Sequence, residues 1–245
     1  MRQLGIVGLF VATAVMLVGC GGNSGGSTLS DPLVQFRNAS TDAGNLQLRI
    51  DDTTRASGGY LGGPAEYIRL SPTNDPDGYD FSIHDAGTGA DLVRIAQPLA
   101  QDSNTFFIVH GLRTVAAGDD AKRLRLSQFS VNRQRPNGNR ARLIVFHGFE
   151  RSAGLATPSL VFKAPGDNTP FQTGAIDPGS TQSIDVDSGT SVWEVKRSDG
   201  DVIYVSQSAT LVPGGIYVVL ISGLEGAPTF ANQPRLTFIS IPPQN

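Results

Sequence analysis

Beyond residue 30, no stretch of this chain keeps apolar residues at i, i+3, i+4 and i+7 for three turns without meeting glycine or proline. Period two takes over instead. Leu46, Leu48 and Ile50 alternate with Gln47 and Arg49; Tyr79, Phe81 and Ile83 with Asp80, Ser82 and His84; Trp193 and Val195 with Glu194 and Lys196. Such alternation is the mark of half-buried strands. Phe106–Val109 and Ile216–Ile221 are nearly continuous apolar runs, as central strands covered on both sides require. Asp199-Gly200 reads as a two-residue hairpin turn, and Asp85–Gly89 as a looser one. The expectation is an all-β chain of antiparallel sheets.

The pattern occurs twice. Leu33-Val34-Gln35-Phe36 is echoed by Leu143-Ile144-Val145-Phe146, and Gly44 by Gly154. Gly58, Ile68 and Leu70 match Gly174, Ile184 and Val186. After a shorter second loop, Phe81 and Ile83 match Trp193 and Val195, and His110-Gly111-Leu112 matches Ser222-Gly223-Leu224. Closing strands follow at Leu124–Val131 and Leu236–Ile241. Two tandem immunoglobulin-like or transthyretin-like β-sandwiches fit this order, one over 32–131 and one over 142–245. The stretch 132–141, rich in Arg, Asn, Gly and Pro, reads as their linker.

The first 31 residues belong to neither copy. Arg2 precedes the uncharged apolar run Leu4–Gly19, which ends in Leu17-Val18-Gly19-Cys20. A charged start, a short apolar core and small residues at the cut are the layout of a secretory signal, here 1–19. The run falls short of the ~20 residues a spanning helix needs. Leu-x-Gly-Cys resembles the lipobox of bacterial lipoproteins. That resemblance implies that Cys20 is acylated, carries palmitate and becomes the first mature residue. Residues 20–31, rich in Gly, Ser and Asn, then read as the lipidated cysteine with a flexible tether. The implied address is the cell envelope, with Gly21 rather than Asp favouring an outer membrane. Cys20 is the only cysteine, so no disulfide within the chain is open to this fold.

Phe36-Arg37-Asn38-Ala39-Ser40-Thr41-Asp42-Ala43 with the alternating strand Leu46–Asp52 resembles the opening of the bacterial surface domain called domain of unknown function 4397. Ala56-Ser57-Gly58, Tyr60 and Tyr67 resemble its second block. Asp52 stands where that family has Gly, and the second copy lacks the Asn-Ala-Ser stretch. The resemblance implies secreted sandwiches and no activity.

Chemistry is sparse. Gly22-Asn23-Ser24-Gly25-Gly26 fits a serine-hydrolase pattern but sits in the tether, without the strand that pattern needs. Asn74–Gly78 offers oxygen ligands, yet lacks the spacing and closing Glu of a calcium loop. His84, His110 and His147 stand on separate strands without close metal-ligand partners and read as strand-surface or strand-end residues. The net charge of −3 gives no reason to expect nucleic acid. The candidates that remain are Tyr60, as an exposed ring for sugar stacking, and Arg123, Arg125, Arg133 and Arg135 in the basic segment 113–142. Arginine forks suit anionic partners; Arg123 and Arg125 equally suit the guarding of an edge strand. The sequence therefore points to a non-enzymatic, lipid-anchored protein without metal or other cofactor. It would bind an envelope protein or, alternatively, a glycan; a metal-dependent hydrolase is the remote third reading.

Overall fold

In a computed structural model of the chain, residues 31–63, 67–73, 77–152, 154–164, 171–200 and 202–242 are described. They form fifteen strands and two single turns of 3₁₀ helix. The first sandwich contains β1 (Leu33–Asn38), β2 (Leu46–Ile50), β3 (Thr53–Gly58), β4 (Ile68–Arg69), β5 (Tyr79–Asp85), β6 (Asp91–Gln97), β7 (Asn104–His110) and β8 (Arg125–Ser130). Its sheets run β3-β2-β5-β6 and β4-β1-β7-β8. The second contains β9 (Arg140–Arg151), β10 (Leu160–Lys163), β11 (Thr181–Asp187), β12 (Gly189–Arg197), β13 (Ile203–Leu211), β14 (Ile216–Glu225) and β15 (Arg235–Ile241). Its sheets run β10-β12-β13 and β11-β9-β14-β15. The all-β sandwich architecture is the expected one. The pairing is antiparallel with one exception in each copy: β1 lies parallel to β7, and β9 parallel to β14.

Alternation fills each sandwich as the sequence predicts. Val34, Phe36, Leu46, Leu48, Ile50, Phe81, Ile83, Phe107 and Val109 form the first core. Leu143, Val145, Phe149, Leu160, Phe162, Trp193, Val195, Val219 and Ile221 belong to the second, with the Trp193 and Phe162 rings stacked at 5.0 Å. β9 begins at Arg140, two residues inside the expected linker, and Val131 and Pro136 within that connection are buried.

One correspondence shifts. Val34 pairs with Ile68, and Leu143 with Ile184. The true mate of Val34 is therefore Leu143, and that of Phe36 is Val145. The sequence match of Phe36 to Phe146 is one residue out. In a strand, one residue turns a side chain to the opposite face. Phe36 faces its own core, whereas Phe146 faces the other sandwich.

This difference exposes the main packing event. The sheet β4-β1-β7-β8 turns a second apolar face outward, and so does β11-β9-β14-β15. The two faces close on each other. Phe106, Ile144, Ile216, Val218, Ile239 and Ile241 cluster towards the starts of β7, β9 and β14. Ala39, Ile108, Phe146 and Leu220 cluster further along, with Leu61 and Phe129 against them. Phe129 stacks on both Phe106 (5.6 Å) and Phe146 (5.9 Å). The molecule is thus four sheets deep.

Hydrogen bonds give the relation between the copies. Asn38 N–H donates to Gly62 O, Leu61 N–H to Asn38 O, and Gly62 N–H to Gly59 O. In the second copy His147 N–H donates to Ser180 O, Gly179 N–H to His147 O, and Ser180 N–H to Asp177 O. Asn38 and His147 are therefore equivalent, as are Leu61 and Gly179. Since β1, β7, β9 and β14 all start at the same end of the packed faces, the sandwiches are related by a pseudo-two-fold axis running along the strands. Residue 31, the 131–139 connection and Pro242 lie at that end, where Arg133 Nε donates to Pro242 O at 3.0 Å.

Turn chemistry also departs from expectation. Neither Asp199 nor Gly200 has positive φ, and the β12–β13 hairpin closes through Arg197 N–H to Val202 O over a wider loop. The tight two-residue turn lies instead at Asp51 (φ 48°) and Asp52 (φ 60°) between β2 and β3. Side chains resist this region, and glycine does not.

Two stability outcomes follow. Asp52→Gly should gain about 1 kcal/mol, read as a rise of a few degrees in thermal midpoint, since the exposed Asp52–Arg94 pair contributes little. Phe146→Ala should cost roughly 3–5 kcal/mol and split one urea transition into two, because each sandwich keeps its own core. A single unsplit transition would show that the faces are not coupled in this way.

Candidate functional site

At the end of the molecule opposite residue 31, loops from both sandwiches meet. The ten residues of β14 span about 33 Å, so this distal pole stands about that far from the end where residue 31 lies. The loop after β7 carries Asp119 and the first 3₁₀ turn, Asp120–Lys122. It docks on the end of β9. Lys122 is 5% exposed, and its Nζ donates to Ser152 O of the second sandwich at 2.8 Å. Asp119 Oδ2 lies 3.5 Å from the same ammonium and accepts Gly154 N–H at 2.9 Å. That bond holds the Asp119 carboxyl below its usual range, with the Lys122 charge assisting after a smaller opposing effect of burial.

Beside this dock lies a cleft of about 560 Å³ lined by Asp119, Lys122, Arg125, Glu150, Thr157 and Pro178 among others. Pockets of 300–1,000 Å³ at domain boundaries are the usual places for ligands. Glu150 is 3% exposed. Its Oε2 accepts the Thr157 hydroxyl at 2.6 Å, and no described residue donates to Oε1. Burial pushes its carboxyl above the ordinary range, against the Thr157 bond and the Arg125 and Lys122 charges. Arg125 is exposed; its Nε reaches only the Arg123 carbonyl, at 3.4 Å, and no ion pair engages its guanidinium among the described residues. The cleft therefore presents one unpaired guanidinium and one half-used carboxyl. A larger groove of about 690 Å³, lined by Arg140, Arg142 and Asp185, lies near the start of β9. Its charges are already spent: Arg142 holds Asp185 through Nε and Nη2 at 2.9 and 3.2 Å.

The four candidate arginines do not form one patch. Arg123, with Nε 2.6 Å from Asp120 Oδ1, and Arg125 stand at the start of the edge strand β8; Arg133 and Arg135 lie past its other end. Tyr60 is not a free platform. It is half-buried at the contact between the sandwiches, its hydroxyl donating to Ser222 Oγ at 3.4 Å and the Arg235 guanidinium lying 5.8 Å from its ring centre.

The histidines overturn their surface reading. His84 is 6% exposed, covered by the β5–β6 turn, with Nδ1 3.2 Å from Gly89 O and Nε2 3.0 Å from Ser82 Oγ. His110 and His147 are buried more deeply still. His147 does not correspond to Arg37, as the sequence match implied, but to Asn38. Its Nδ1 bonds Ile176 O at 3.0 Å, just as Asn38 Nδ2 reaches Gly58 O at 3.4 Å. No group of three or more His, Cys, Asp or Glu placed to hold a metal ion occurs among the described residues. Cys20, the Gly22–Gly26 pattern and residues 74–76 lie outside the described residues. Sequence reasoning missed Lys122 and Glu150. A lysine in a loop and a glutamate near the end of a strand look solvated until loops of both sandwiches gather around them.

No family model matches the chain, and no curated protein matches it. Among solved structures, one of a putative cell adhesion protein from Bacteroides ovatus aligns over 86% of this chain and 96% of its own, at 10% identity and a TM-score of 0.27. Similarity at that level carries no argument about function.

The dock yields a contrast. Lys122→Ala should destabilise by roughly 2–3 kcal/mol, because a buried charge-assisted hydrogen bond is lost. Arg123→Ala, removing an exposed pair one residue away, should change stability by less than about 0.5 kcal/mol. Urea titration of both variants checks this.

Proposed function

We propose that this chain is a non-catalytic binding module of the cell envelope, held by a lipid on Cys20 and engaging its partner at the distal pole. The carrying observation is the polarity of the fold. Residue 31 enters at the pole where β1, β7, β9 and β14 start, and the opposite pole gathers loops of both sandwiches around the Arg125–Glu150 cleft. A tether at one end and a two-domain cleft at the other suit display away from a surface. The lipobox-like Leu17-Val18-Gly19-Cys20 supports the anchor, and the Gly/Ser-rich stretch after it supports reach. Three acyl chains, the usual number on such cysteines, bind a membrane durably, where one alone gives only marginal attachment.

The cleft suits a protein partner bearing both a carboxylate and a donor group. The free guanidinium fork takes the carboxylate in two parallel hydrogen bonds. Glu150 Oε1 takes the donor. The glycan reading had rested on Tyr60, whose ring is engaged between the sandwiches.

Labelled palmitate should enter the wild-type protein and not Cys20→Ala. Envelope material captured by the wild-type protein should fall at least tenfold with Arg125→Ala or Glu150→Gln, while circular dichroism shows both variants folded. Capture unchanged in both would remove the cleft from this reading; equal labelling of Cys20→Ala would remove the anchor.

A further inference from the structure

The two sandwiches are held by two pseudo-symmetric clamps, and only the second is built on imidazoles, those of His110 and His147. In the first, Leu61 (φ 58°) closes onto Asn38 and packs into the interface, while Tyr60 reaches Ser222. In the second, Gly179 (φ 78°) closes onto His147 and the His110 imidazole lies on it; a Cβ there would sit 2.9 Å from His110 Cε1. The large and small partners have exchanged places: Leu61 with Ser222 on one side, Gly179 with His110 on the other. Asn38 has become His147.

Hydrogen bonding fixes both tautomers. Ser127 Oγ spends its single proton on Gly179 O at 3.1 Å, so at 3.0 Å it must accept from His110 Nε2. His147 Nδ1 faces a carbonyl, which only accepts, so it carries that ring's proton. His110 Nδ1 and His147 Nε2 are left as bare buried nitrogens with no partner among the described residues. Each is where an added proton must go, and neither has a hydrogen-bond partner in place among the described residues.

We propose that the clamp built on His110, His147 and the 176–180 loop is an acid-released latch, and that on acidification the sandwiches part at this clamp while the Asn38–Leu61–Ser222 clamp holds as a hinge. The charged groups around the latch are Arg125 on β8 beside His110, Asp177 in the loop beside His147, and Lys122 and Glu150 in the adjoining cleft. Burial pulls both imidazoles down to about 4, the charge of Arg125 and then that of His147 adding to it at His110, and the Ile176, Asp177 and Phe149 contacts opposing it at His147. The sign is set by these lowered values. The opened latch binds protons from about pH 6.5 down, the closed latch only near 4, so closure is complete above 6.5 and weakens as pH falls. With two such groups, closure weakens by up to about 100-fold per pH unit inside that window.

Amide hydrogen exchange, corrected for intrinsic rates, tests this between pH 7 and 5. The Gly179 and His147 amides should lose more than tenfold protection, and the Leu61 and Asn38 amides should keep theirs. The double variant His110→Ser/His147→Asn, which copies the hinge-side residues, should abolish the difference. Should that variant not fold, proton NMR titration of the wild-type imidazoles decides: both resonances must stay neutral down to at least pH 5. Equal loss of protection at both clamps, no loss at either, or titration of both rings near pH 6.5 would overturn the latch.

Discussion

Everything in this molecule depends on the burial of two sheet faces that an isolated sandwich would show to solvent. Phe106, Ile108, Phe146, Val218 and Leu220 are as buried as any core residue, yet each points away from its own core. Apolar area removed from water contributes about 25 cal/mol per Å², and stacked aromatics such as Phe129 between Phe106 and Phe146 add directional preference. The interface makes one body of two repeats. It also creates the distal cleft, the burial of Lys122 against Ser152 and the paired clamps, which form where the sandwiches meet.

The strands and both cores were legible because alternation is local. Trp193 lies inside, as its spacing from Val195 requires. The continuous runs at Phe106–Val109 and Ile216–Ile221 already said that these strands are covered twice. What covers them was not legible, since that is a contact between residues on different sandwiches, such as Ile108 with Phe146 and Phe106 with Ile216, far apart in sequence. The slip at β1 and β9 has a similar cause. Matching letters favoured Phe36 with Phe146, whereas the ladder requires Phe36 with Val145. A phenylalanine fits either face when both are buried, so hydrophobicity could not fix the register there.

The site was less legible than the fold. The sequence nominated exposed-looking groups, and the structure spends several of them internally: Tyr60 in the interface, Arg123 on Asp120, Arg133 on Pro242. Of the nominated arginines, only Arg125 lines the distal cleft. The histidines are buried because turns distant in sequence fold over them, which no period-two argument can see. Repeat symmetry, once corrected, is more informative than residue type. It shows His147 standing where the first copy has Asn38 and His110 where the second has Ser222, and so identifies where the two copies differ in chemistry while keeping their backbone bonds.

The strand-parallel pseudo-axis has a practical corollary for anyone labelling this protein. Residue 31 and Pro242 lie at the same end, so a fluorescent domain appended after Asn245 would emerge beside the point where the described chain begins. The tip of the β5–β6 turn, where Gly87 and Thr88 are exposed, faces the other way. A short epitope placed there reports on whatever the far end of the molecule meets, and leaves both chain ends undisturbed.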